Sequence, residues 1–142
     1  MLVNVSYNNK KVQNTIDEAV GKPFTLKQRI KMRGIGMGRL TITEASVHIN
    51  NLLILDNNRN LCNIELRPNG IIVGFRSLLE SYALVIPHYK LSLYKGEADI
   101  YSIYRDQYYV KIRVDEWDRS IHKFMRKVMA LKAENSPGTP YD

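Results

Sequence analysis

Between residues 39 and 114 apolar and polar positions alternate in short runs broken by turn-forming clusters, the period of strands that present successive side chains to opposite faces of a sheet. The run Leu61–Arg67 sets Cys62, Ile64 and Leu66 on one face against Asn63, Glu65 and Arg67 on the other. Residues 108–114 set Tyr108, Val110, Ile112 and Val114 against Tyr109, Lys111 and Arg113. Further strands are predicted at 39–43, 46–49, 71–75, 83–86, 89–94 (with Tyr89, Leu91 and Leu93 on one face) and 99–105, with a short buried-type run at 52–55. Pro68, Asn69 and Gly70 predict a hairpin, because Asn-Gly supplies the positive φ angles a tight turn needs. Residues 56–60, 95–97 and 106–107 read as a loop and two turns. About seven or eight short strands at this spacing suit a barrel or sandwich.

The period changes at the end of the chain. Residues 116–133 predict one amphipathic helix with Asp115 as N-cap, Glu116 and Asp118 opposing the macrodipole, and an apolar stripe of Trp117, Ile121, Phe124, Val128 and Leu131. The expected fold is therefore mainly β (α+β): a barrel or sandwich of about seven or eight strands finished by one C-terminal helix. From Asn135 on there is no periodicity, and 135–142 is expected as a loose tail.

The start of the chain is less regular. Residues 2–7 suggest a short strand, while Val12, Ile16 and Val20 recur every four residues as a short helix would, before Gly21, Lys22 and Pro23 break the pattern. Residues 1–22 are taken as an N-terminal extension and 23–134 as the barrel domain. Residues 26–33 alternate cleanly, with Leu26, Ile30 and Met32 on one side and Lys27, Arg29, Lys31 and Arg33 on the other, which predicts a strand. The rival is a helix capped by Thr25 and stopped by Gly34, which would scatter the charges around its circumference.

Length and composition narrow the classes. The 142 residues form one domain able to bury a core without disulfides. The single cysteine, Cys62, excludes an intrachain disulfide and fits a reducing compartment, as a buried and inert thiol. The first residues carry no basic and apolar leader, and no run reaches the roughly 18 apolar residues of a membrane span, so the expected location is cytoplasmic. Net charge is +7, and residues 21–43 contain six bases and no acid, which favours anionic partners.

Lys27, Arg29, Lys31 and Arg33, with Arg39, are the candidate anion-binding residues. Like charges at alternate strand positions, about 6.5–7 Å apart, repel one another and favour a bound anion, and guanidinium groups grip phosphate bidentately. Gly34, Gly36 and Gly38 offer backbone N–H groups as an anion nest. The plainer account is an edge strand defended against aggregation by its charges. Seven of the nine tyrosines fall between 82 and 109, and Tyr109 with Lys111 and Arg113 suggests an aromatic-basic platform for single-stranded nucleic acid; strand propensity alone also explains them. His48, His88 and His122 are not spaced as metal ligands with Cys62 or a carboxylate, and nothing marks a nucleophile, so neither an enzyme nor a metal or cofactor site is expected.

The hairpin at Asn69 and Gly70 into 71–75, and then Val85, Ile86, Pro87, His88, Tyr89, Lys90 and Leu91, resemble the bacterial pleckstrin-homology-like domains, in which an I-P-x-x-x-I/L segment enters a central strand. Gly38 to Thr43 ahead of Val47, His48 and Ile49 looks like the first hairpin of these and related GRAM-type domains. The resemblance covers half to three-quarters of the chain. It implies a strongly bent seven-stranded barrel plugged at one end by the terminal helix, and a binding role toward phosphoinositides, peptides, other proteins or further copies of the chain. Two departures stand out: the aromatic often central in the helix is here at its start, Trp117, and the lipid-binding pattern K-x(n)-[KR]-x-R is met only loosely by Lys27, Arg29, Lys31 and Arg33. The expected function is a non-catalytic binding or scaffolding module for protein interaction or self-assembly. The alternatives are an anionic phospholipid surface, with the protein peripheral to the membrane, and, more weakly, nucleic acid.

Overall fold

A computed structural model of the protein describes residues 1–55, 60–96, 99–115 and 117–135. Residues 56–59 of the loop expected at 56–60, residues 97–98, Glu116 and the tail beyond Asn135 lie outside the described residues. Eight strands among those described form one antiparallel sheet: β1 (Leu2–Asn4), β2 (Gly36–Ala45), β3 (Leu61–Arg67), β4 (Gly70–Ser77), β5 (Glu80–Pro87), β6 (Ser92–Lys95), β7 (Ile100–Arg105) and β8 (Tyr108–Arg113). Their spatial order is β1-β5-β4-β3-β2-β8-β7-β6. Two meanders, β2 to β5 and β6 to β8, are thus joined where β2 pairs with β8, and β1 adds an edge beside β5. Two register shifts in β2, between Met37 and Leu40 and between Ile42 and Glu44, are bulges that bend this shared strand. Arg105 of β7 donates from Nη1 to the Val85 carbonyl of β5 at 2.5 Å, so the sheet curls until its two halves approach.

Strand alternation fills the core as the sequence predicts. Cys62, Ile64 and Leu66 of β3, Ile71, Val73 and Phe75 of β4, and Val110 and Ile112 of β8 all point inward. The helix α4 (Arg119–Asn135) lays Phe124, Met125 and Val128 over one end of that core. It is pinned there by His122: its Nε2 lies 3.0 Å from the Asp115 carbonyl, which can only accept, so Nδ1 accepts the Tyr101 hydroxyl at 2.7 Å. The other end is covered by α3 (Val47–Ile54), which follows the end of β2 and buries Ile49 and Leu53, with its Leu52 carbonyl accepting from the Ser77 hydroxyl at the end of β4.

Residues 1–22 join the same sheet. The helix α1 (Lys10–Val20) is capped by the Asn9 side chain and lays Ile16 and Val20 on Ala83 and Val85, so β5 is buried on both faces. Arg67 ties down the end of α1 by donating to Asp17 at 3.1 Å and to the Gly21 carbonyl at 2.9 Å.

Several expectations are corrected. Residues 46–49 are not a strand: the Ser46 hydroxyl bonds the Tyr109 backbone, ends β2 and starts α3, in which Ile49, Leu52 and Leu53 follow helical spacing. A window of four residues fits either period. The last helix begins at Arg119, with Asp118 rather than Asp115 as cap (Ile121 N–H to Oδ1, 3.3 Å), and Trp117 precedes the helix, 86% exposed. Tyr89 sits in a short 3-10 turn, His88–Lys90, and is exposed instead of sharing a face with Leu91. The hairpin after β3 is present, with Pro68 and Asn69 as its two loop residues, but neither Asn69 nor Gly70 has a positive φ. Gly70 is needed for space: a Cβ there would collide with the Ile86 carbonyl and come within 2.6 Å of Val20 Cγ1.

Candidate functional site

The segment predicted as a basic strand, 26–33, is a helix. The helix α2 (Leu26–Lys31) starts in a capping box: Thr25 Oγ1 accepts from Gln28 N–H at 3.2 Å, and Gln28 Oε1 accepts from Thr25 N–H at 2.9 Å. It ends at Arg33 and Gly34, both left-handed (φ 60° and 100°), where the Gly34 N–H bonds the Arg29 carbonyl. That bond uses the Gly34 donor, so Gly34 does not offer its N–H to the expected anion nest. Alternation misled here because α2 buries none of its own residues; Phe24, Met32 and Ile35 at its flanks anchor it to the core.

The consequence for the surface is large. Leu26 and Ile30, expected on a buried underside, are 73% and 70% exposed. Spaced by four residues, they share one face of the helix. Lys27 and Lys31 lie about 100° further round, Arg29 lies on the opposite flank, and Arg33 follows at the exit, all exposed. The result is an apolar pair facing solvent between cations.

This face is held by α4. Lys127 Nζ donates to the Met32 carbonyl at 2.6 Å and to the Gly34 carbonyl at 3.1 Å, capping the C-terminal end of α2. Burial, then the charges of Lys123 and Arg33, lower the Lys127 pKa. The contribution of Lys123 and Lys127 was not legible in the sequence, since nothing there brings α4 to residue 32.

Arg39 stands apart. It occupies the first bulge of β2 with φ 55° and lines a groove of about 990 Å³ on the outer face of β2 to β5, together with Asn63, Gly74 and Arg76; none of Lys27, Arg29, Lys31 and Arg33 lines it. The structure therefore brings four of the five candidate residues together and separates the fifth.

The tyrosines form a row on the outer face of β6 to β8, with ring centroids of Tyr94 and Tyr104 5.9 Å apart and of Tyr104 and Tyr109 5.4 Å apart. Its cations are compensated, Lys111 by Glu44 at 3.6 Å and Arg113 by Asp99 at 4.0 Å, and Tyr109 donates to Glu44, which raises the tyrosine pKa. Cys62 is buried, and burial pushes its thiol up to about 12, far from a reactive thiolate. Among the described residues no group of His, Cys, Asp and Glu is arranged to hold a metal ion, and no helix is long and apolar enough to cross a membrane. No protein-family model matches the chain, and no curated protein or solved structure matches it either.

Proposed function

We propose that this protein is a non-catalytic binding module that docks on anionic phospholipid surfaces through α2. The observation that carries the reading is the exposed pair Leu26 and Ile30 set between Lys27 and Lys31 on one side and Arg29 on the other, with Arg33 at the helix exit. A short helix lying flat in the headgroup region places its apolar face in the acyl boundary while long basic side chains reach the phosphates. Each cation near such a surface contributes about 1 kcal/mol, and one weak signal alone gives only marginal binding, so the two signals on one helix matter together. Residues 21–43 contain no acid to oppose the approach. On this reading the protein is cytoplasmic and peripheral to the membrane.

A pleckstrin-homology-like barrel is the fold we propose to go with it. In support, β2 to β8 are seven antiparallel strands, Arg105 reaches across to Val85 where the curled sheet meets, and α4 covers one end. A nucleic-acid role is less favoured, because the tyrosine row has its cations paired.

Sedimentation with vesicles tests the function. Binding is expected to vesicles containing phosphatidylserine and not to pure phosphatidylcholine. Replacing Leu26 and Ile30 by Ser should lower it about tenfold at constant charge, and replacing Arg29, Lys31 and Arg33 by Gln should lower it further and flatten its salt dependence. Because all five side chains are exposed, the melting temperature should barely move. Equal binding to both vesicle types, or unchanged binding of both variants, would exclude α2 as the docking site.

A further inference from the structure

The groove that holds Arg39 is built by the sheet itself. Asn63, Gly74 and Ala83 are cross-strand neighbours on β3, β4 and β5, and Val3 of β1 continues the row. Small side chains in line make a trough across the strands; a Cβ on Gly74 would collide with Asn63 Oδ1. On one side the trough is bounded by Glu65 and by Ile72, which packs under α1. On the other side stand Leu61, Arg76 and Ser81, and beyond them the β4–β5 hairpin tip, where Leu79 is 87% exposed.

Among the described residues, two of the four non-glycine residues with positive φ line this groove: Arg39 at 55° and Leu78 at 58°. A left-handed Leu is conformationally costly, and a bulge re-aims the side chain it carries. At Arg39 two residues of β2 oppose the single Asn63 of β3, which turns the guanidinium toward the trough. Charge then selects the occupant. Neither Arg39 nor Arg76 has an ion-pair partner among the described residues, whereas Glu65 is held by Arg67. The groove offers two guanidinium groups without ion-pair partners among the described residues, beside a floor of Asn63, Gly74 and Ala83. A second copy of a chain of charge +7, with its own exposed cations, is a poor match.

We propose that this groove docks a short extended segment of a partner protein in which acidic residues alternate with Leu or Val, its carboxylates meeting Arg39 and Arg76 and its apolar side chains meeting Leu79, Leu61 and the floor. In an extended segment successive side chains face opposite ways, so the apolar set lies toward the floor and the carboxylates face away from it, toward the long side chains of Arg39 and Arg76. The surface is separate from α2, so the protein would join an acidic partner to whatever α2 engages.

The test uses the full chain and a fluorescein-labelled peptide alternating Glu with Leu or Val, with a twin carrying Lys at each acidic position. The acidic peptide should bind with a dissociation constant below about 1 mM, and amide shifts in the protein should centre on Asn63, Gly74 and Ala83. The double variant R39E/R76E should lose about tenfold or more in affinity for the acidic peptide and gain affinity for the Lys twin, and Leu79→Ser should weaken the acidic peptide without lowering the melting temperature. No binding by 1 mM, equal binding of both peptides, shifts centred on α2, or concentration-dependent dimerisation through the groove would each overturn the proposal.

Discussion

At His88 the imidazole is 2% exposed, and neither ring nitrogen has a hydrogen-bond partner among the described residues. Burial, with Lys132 adding to it, lowers its pKa below the ordinary 6.5. The unfolded chain therefore takes up the proton first as pH falls, so the stability associated with the neutral ring is full above about 6.5 and is lost as pH drops toward the folded pKa. His88→Leu should be neutral or stabilising at pH 7.5, since an apolar side chain of similar size leaves no orphaned nitrogen, and should lose less stability between pH 7 and 5 than the parent. Urea titrations at a series of pH values check this; an unchanged pH slope would assign the acid sensitivity to another group. His122 shows the contrast, since both its nitrogens are bonded. In the sequence these histidines look alike. What separates them is the turn after Pro87, which carries His88 inward, and the approach of Tyr101 to α4, neither of which is a local property of the chain.

Among the elements, those whose buried face repeats over two turns or more were legible, and the short ones were not. The strands β3, β4 and β8 and the helices α1 and α4 each bury a face with its own period, though spacing in α4 omitted the buried Met125 and included the exposed Trp117. The helix α2 buries none of its residues, so its apolar positions carried no information about where the core lies; the decisive local signals were Thr25 with Gln28 and the stop at Gly34. Its partner lies far along the chain. Replacing Lys127 by Met keeps the aliphatic stem and removes the ammonium that the Met32 and Gly34 carbonyls accept from. Amide exchange at 32–34 should then quicken by about tenfold, equivalent to roughly 1.4 kcal/mol, within the range for a hydrogen bond to a charged group, while exchange in β3 and β4 stays as it was. Unchanged exchange would show that Phe24, Met32 and Ile35 alone hold α2.

For the whole molecule, the sheet leaves two ends of the core to be covered, and the chain covers them differently. The helix α3 is short, begins directly from β2, and leaves Val47 and Ile54 exposed beside the buried Ile49 and Leu53. The helix α4 is longer and brings Phe124, Met125 and Val128 inward together, with Ile121 and Leu131 half-buried at the margin. The closing role of α4 was readable because its stripe is bulky and lies outside the strand region; that of α3 was not, because 46–55 is too short to establish a period. If α4 closes the core, its largest buried side chain has no way to be replaced by solvent without opening a cavity. Phe124→Ala should cost about 3–5 kcal/mol, the range for a large aromatic removed from a packed interior. The denaturant dependence should keep its slope, because the surface exposed on unfolding is nearly the same. A loss below about 1 kcal/mol would mean that α4 detaches at little cost. The anchorage of α2 through Lys127 would then fail with it, and the cationic face would no longer be held against the sheet.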